Sequence, residues 1–144
     1  MKNPWSDRWE FVKNYIPDNT SIIDFGCGNK ESLDYVNPTR YLGVDRLSCA
    51  DLVADLDQNF VLHDKFDLAL LLGVLEYVKD PEYTLNNIVG NADNFIVLCL
   101  AAKKVKPEWQ RVFSQQSIDN LLQKFFAEVT HHAHGRYILS VCKK

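Results

Sequence analysis

Two short runs constrain the fold most. "FDLALLL", residues 66–72, and "NFIVLCL", residues 94–100, are apolar almost throughout. Successive side chains of a strand point to opposite faces. A strand that is apolar at nearly every position is therefore covered on both faces, as central strands of a parallel sheet are. Such a sheet needs helical crossovers and forms a three-layer α/β domain.

The rest of the chain supplies the other elements. Trp5, Trp9, Val12 and Ile16 recur at helical spacing, which predicts a helix over residues 1–16 that Pro17-Asp18-Asn19 ends. Ser21 to Phe25 is a first strand, Tyr41 to Val44 a second ending at Asp45, and Leu52 to Ala54 a brief third. Asp80 before Pro81 is an N-cap followed by proline at the first helical position. The helix it starts is expected to run to Val89 with Tyr83, Leu85, Ile88 and Val89 inward. Ser114 or Ser117 caps a further helix expected to reach Phe126. Alternation on both sides of Gly135 predicts a hairpin, Glu128 to His132 and Arg136 to Cys142. The links from Gly28 to Tyr41 and from Asp45 to Leu52 are short. The first has room only for a short helix, and the second for no full crossover helix.

At 144 residues the chain is expected to form one domain, residues 1–144. With 47% hydrophobic residues, 24% charged and a net charge of -3, it has the balance of a soluble protein. A nucleic-acid module usually carries a basic excess, so no nucleic-acid partner is expected. No apolar run approaches the roughly 20 residues of a membrane span. The N-terminus lacks an apolar core like that of a secretory signal. Cys27, Cys49, Cys99 and Cys142 show no CxxC pair or metal-like spacing. A reducing, cytoplasmic setting and no membrane partner are therefore expected.

In open sheets of this kind, ligands bind beyond the carboxyl ends of the strands. Those ends are Gly26-Cys27-Gly28, Asp45, Asp55-Leu56, Gly73-Val74 and Ala101-Ala102. In "SIIDFGCGNK" two glycines directly follow an apolar strand, which suits a ligand approaching the backbone. The dinucleotide fingerprint G-x-G-x-x-G/A fails, because its third position is Glu31. No Walker loop is present. The loop therefore suits a ligand without phosphates.

"DFGCGNK" resembles motif I of the class I S-adenosylmethionine-dependent methyltransferases, an acid followed by G-x-G-x-G. "YLGVD", "ADLVADL", "FDLALLLGVLEYVKDPEYTLNNI" and "FSQQSIDNLLQKFFAEVTHHAHGRYILSVCK" are similar, in order, to later segments of the same family. The resemblance spans roughly residues 9 to 143 and is nearest to small members of the type 11 or 12 kind. It implies a Rossmann-like, mostly parallel seven-stranded sheet with a C-terminal antiparallel hairpin and strand order 3-2-1-4-5-7-6. It implies S-adenosylmethionine as cofactor and S-adenosylhomocysteine as product. It also implies a site built from Asp24, Gly26, Cys27, Gly28, Asp45, Arg46, Asp55, Leu56, Leu72 and Gly73. Asp24 would hold the loop or meet the amino group, and Asp45, nineteen residues after Gly26, the ribose. Asp55 and Leu56 would meet the adenine, and Leu72 and Gly73 the methionine end. The N-terminal helix would cover the cofactor. Two positions depart from the pattern: Lys30 stands at the third glycine of motif I, and Tyr77 at the histidine of L-E-H.

The implied activity is methyl transfer to a small-molecule acceptor. The alternative is an inactive methyltransferase-like module that binds a partner. A polar-lined cavity beside the transferred methyl would favour the enzyme, and a large exposed apolar patch the module. "KKVKPEWQR", with Lys103, Lys104, Lys106, Trp109 and Arg111, suggests a sugar-like or anionic acceptor if the loop does more than meet solvent. For a general base the residues named are His132, His134 and Tyr77. Glu76 is expected to be a helix-start acid. In "HHAH", His132 and His134 should share one strand face while His131 points away. No acid or cysteine cluster accompanies them, so no metal site is expected.

Overall fold

The computed structural model describes residues 6–100 and 107–144. Trp5, Ala101, Ala102, Lys103, Lys104 and Lys106 lie outside the described residues. Helix α1 is Ser6–Val12, followed by a 3-10 turn over Lys13–Tyr15. The strands are β1 Ser21–Phe25, β2 Arg40–Asp45, β3 Leu52–Val53, β4 Phe66–Leu72, β5 Ala92–Leu100, β6 Glu128–His134 and β7 Tyr137–Lys143. Helix α2 is Pro81–Ile88 and α3 is Gln115–Leu122. The strands form one seven-stranded sheet in the order β3-β2-β1-β4-β5-β7-β6. The first five pair in parallel, and β7 runs antiparallel between β5 and β6.

The alternation in β4 divides the core. Leu68, Leu70 and Leu72 face α1 with Ile22, Ile96 and Leu98, beneath Trp9 and Val12. Ala69 and Leu71 face the other side, with Phe25, Val97 and the inner residues of α2 and α3. The sheet is thus covered on both faces, as its apolar central strands require.

Local chemistry sets the helix ends. The Asp80 carboxylate accepts hydrogen bonds from the backbone N–H of Glu82 and Tyr83 at 3.1 and 3.3 Å. Ser114, not Ser117, is the N-cap of α3, and Ser117 completes a capping box. Helix α3 stops at Leu122, four residues short of the expected Phe126. Its end is a turn in which both Phe125 and Phe126 N–H return to the Leu122 carbonyl. In α2 the expected inward Tyr83 is 39% exposed, and Thr84 is buried in its place. Thr84 can be buried because its hydroxyl donates to the Leu56 carbonyl at 3.1 Å.

The short connections hold as expected. A 3-10 turn over Glu31–Asp34 is the one regular piece between β1 and β2. From β2 to β3 the chain runs as a loop. No helix among the described residues is long and apolar enough to cross a membrane.

Candidate functional site

The carboxyl ends of β1, β2 and β4 carry the candidate residues. Gly26 and Gly28 both have positive φ, +76° and +53°. A Cβ on Gly26 would come 2.5 Å from Val74 Cγ2, so this glycine lets the β1 and β4 ends meet. A Cβ on Gly28 would meet nothing within 4 Å. Gly28 thus leaves open space, and its conformation presents backbone to that space. The loop is pinned to β2, where the N–H groups of Gly26 and Cys27 both donate to the Val44 carbonyl. The Cys27 side chain turns into the structure against Gly43, and burial pushes its thiol up to about 12. Its contribution to the loop is therefore backbone.

Asp45 ends β2 and reaches across to the glycine loop. One carboxylate oxygen accepts from Gly28 N–H at 2.9 Å and the other from Leu47 N–H at 3.1 Å. Each oxygen keeps lone-pair capacity for a ligand. Asp24, 3% exposed, accepts from Tyr41 Oη at 2.9 Å and Ser32 Oγ at 3.0 Å. Burial outweighs these bonds and pushes its carboxyl up to about 6.

Lys30 sits in the left-handed region at φ 61°, where the family motif has glycine. Its ammonium pairs with Asp51 at 2.6 Å, and Asp51 also takes Gly43 N–H at 2.8 Å. Asp51 is thereby committed to the loop. Asp55 caps its own turn by accepting Asp57 N–H at 2.9 Å.

Three pockets meet at Tyr77. The first, about 200 Å³, runs between Gly26, Asp45, Arg46 and Asp55, with Leu56 and Val78 as apolar flanks. The second, about 330 Å³, lies under α1, between Arg8, Trp9, Asp24, Gly28, Glu31 and Leu72. Gly26 and Tyr77 line both. The third, about 80 Å³, is bounded by Arg8, Glu76, Tyr77, Trp109 and Tyr137. Gly73 lines the first and third pockets, and its N–H is already given to the Leu98 carbonyl. Its carbonyl alone is left to face a ligand.

Several of the expected residues lie away from these pockets or are engaged in the fold. His132 and His134 line none of these pockets. His134 stacks on Phe11 and His132 packs at a tilt on Tyr15, each at 4.6 Å between ring centroids, joining β6 to the N-terminal segment. His131 lies on the opposite face, between Ser140 Oγ at 2.8 Å and Asp119 Oδ1 at 2.6 Å. The Arg111 guanidinium donates to the carbonyls of Leu75, Val78 and Lys79. It fixes the turn that carries Glu76 and Tyr77.

Glu76 is the residue the sequence reading undervalued. It is 1% exposed, and its Oε2 accepts Leu100 N–H at 3.2 Å. Its Oε1 has no hydrogen-bond partner among the described residues. The sequence signal was its place as the acid of the L-E-H-like segment, four residues past the end of β4.

Comparison with known proteins gives the same picture. The Methyltransferase domain family matches residues 1–94. No curated protein matches the chain. Among solved structures, a Thermotoga maritima S-adenosylmethionine-dependent methyltransferase, described as a possible histamine N-methyltransferase, is similar with a TM-score of 0.75. Its identity is 16%, covering 97% of this chain and 88% of that one. The N-methyltransferase NodS of Bradyrhizobium japonicum, in complex with S-adenosylhomocysteine, has a TM-score of 0.72 at 15% identity, over 99% and 89%. A putative methyltransferase in complex with the Haloferax volcanii Trm112 activator has a TM-score of 0.74 at 15% identity, over 96% and 91%. These likenesses are of fold. With the family match over residues 1–94, they show that the chain belongs to the Methyltransferase domain family and has the fold of the class I S-adenosylmethionine-dependent methyltransferases.

Proposed function

We propose that the chain, as one domain, transfers a methyl group from S-adenosylmethionine to a small-molecule acceptor. The observation that carries this is the pair of acid-lined pockets joined at Gly26 and Tyr77. Together they reach the roughly 300–1,000 Å³ of small-molecule sites. Their carboxylates repel a pyrophosphate and suit a cationic nucleoside. Asp45 would take the ribose hydroxyls through charge-assisted bonds. Arg46 lines the same pocket, and Asp55, Leu56 and Val78 would flank the adenine. Asp24 would take the amino group. The backbone at Cys27 and Gly28, with Leu72 below and Arg8 and Trp9 of α1 above, would enclose the methionine end.

When bound, the cofactor's sulfonium supplies an electrophilic methyl group. The protein's part is alignment and exclusion of water, which in well-oriented systems lowers a barrier by up to roughly 7–11 kcal/mol. Tyr77, at the junction of the three pockets, is the side chain best placed to orient the reacting groups.

Calorimetric titration with S-adenosylmethionine and S-adenosylhomocysteine tests this reading. Wild type should bind both, and Asp45→Ala should bind about 10–100-fold more weakly, as expected for lost bonds to a charged group. No binding by the wild type would overturn the proposal.

A further inference from the structure

The glycine loop and the β2–β3 loop are tied together at several points. Gly28 N–H donates to Asp45 at 2.9 Å, and the Lys30 ammonium pairs with Asp51 at 2.6 Å. Asp51 also accepts Gly43 N–H at 2.8 Å. These ties bring two cysteines to one atom. The Cys27 sulfur lies 3.6 Å and the Cys49 sulfur 3.4 Å from the Gly28 carbonyl oxygen. The two thiols thus flank a single oxygen, one from each loop.

Their surroundings give them different parts. Cys49 is exposed and Cys27 is buried. The Cys27 sulfur sits against β2, where a Cβ on Gly43 would come within 2.8 Å of it, and burial keeps it protonated. An exposed thiol meets a dissolved oxidant first, and a shielded neighbour reacts with the product. Cys99 and Cys142 lie buried in β5 and β7, away from both loops.

We propose that Cys49 and Cys27 are a redox pair that closes into a disulfide across Gly28, and that closure and cofactor binding exclude one another. With oxidised glutathione as oxidant, the Cys49 thiolate attacks one sulfur of the reagent. This gives a mixed disulfide and releases one glutathione. Cys27, after losing its proton, attacks the Cys49 sulfur and releases the second glutathione. The two protein thiols lose two electrons and two protons in all, and the reagent's S–S bond becomes two thiols. The second step is the slow one, since its thiol is shielded. Closure draws the Cys27 side chain off Gly43 and pulls on Gly28, whose N–H holds the Asp45 carboxylate proposed for the ribose. In a reducing setting such a pair is transient, which suits a switch rather than a staple. The pairing stands on the loop contacts alone, and its effect on binding rests on the methyl-transfer reading of that loop.

The test incubates the reduced full chain with oxidised glutathione and follows the intact mass. A glutathione adduct should appear first and give way to a chain lighter than the reduced form by two hydrogen atoms. Digestion without reductant should then yield one peptide pair, joined at Cys27 and Cys49. Bound S-adenosylhomocysteine should slow the closure. The oxidised chain should bind S-adenosylhomocysteine at least about tenfold more weakly, and dithiothreitol should restore the affinity. Cys49→Ser should bind like the reduced wild type before and after the oxidant. The wild-type digest decides the pairing without any variant. An adduct that persists at Cys49 without closing would overturn the proposal, as would a disulfide between two chains or one that includes Cys99 or Cys142. Equal affinity of the oxidised and reduced chains would also overturn it. A reduced chain that does not bind S-adenosylhomocysteine would remove the methyl-transfer reading and the switch with it, even where the digest shows the disulfide.

Discussion

In the proposed site, Asp24 would couple stability to binding through one buried carboxyl. Its folded-state value of about 6 lies above the ordinary 3.8, chiefly through burial. The folded protein therefore holds that proton more tightly than the unfolded chain does. The stability this contributes is fully present below about pH 4 and is lost as pH rises through about 6. In the proposed site binding has the opposite sense, since a cationic amino group would need the carboxylate. We expect S-adenosylhomocysteine affinity to rise about tenfold from pH 5 to pH 7, and Asp24→Asn to bind weakly with a flat profile. Calorimetry across that range checks it, and an unchanged slope in Asp24→Asn would assign the titration elsewhere. The positions of Asp24, Gly26 and Asp45 at the ends of β1 and β2 were legible because strand ends follow from the local pattern. The burial of Glu76 was not, because its partner, the Leu100 N–H, lies 24 residues along the chain. The inward set of α2 was misjudged at Tyr83 for a similar reason. Thr84 is buried because the Leu56 carbonyl, 28 residues away, waits for its hydroxyl.

At the scale of elements, the helix starts were the most legible features, since a cap is chemistry among neighbours. The Asp80 cap does more than begin α2. That helix carries Thr84, which holds the Leu56 carbonyl at the edge of the first pocket. Asp80→Ala should cost about 1 kcal/mol, a typical loss for an N-cap. The expected readout is a lower urea midpoint with an unchanged m-value. A midpoint equal to wild type would mean that water replaces the cap. The end of α3 was harder to read. The pattern through Phe126 remains apolar, and the chain leaves the helix through a turn that still buries Phe126 against Phe95. The histidines of β6 were legible in facing and not in role. Strand alternation separates His131 from its neighbours, but only the fold brings Phe11 and Tyr15 over His134 and His132.

Across the whole molecule, the strand order and the two-faced core followed from the apolar central strands and the ordered family segments. The helix α1 binds the two aspects of the protein together. Trp9 and Val12 close the core over β1, β4 and β5, while Arg8 and Trp9 roof the second pocket. The same helix therefore packs the core and lines the pocket. A chain beginning at Ile16 would expose this whole face of the sheet, so its failure to bind would report on folding.

The Asp45 to Leu52 loop has a further consequence. It leaves Cys49 exposed, with its sulfur 3.4 Å from the Gly28 carbonyl, while Cys27, Cys99 and Cys142 are buried. The chain thereby carries its own chemical label site at the glycine loop. Under native conditions a maleimide should modify one thiol, and after denaturation four. Occupancy of the neighbouring pockets should slow the native modification, read by intact mass over time. An unchanged rate with ligand bound would mean that the loop's outer edge stays clear of it. A thiol that no step of methyl transfer requires thus turns binding into a clock.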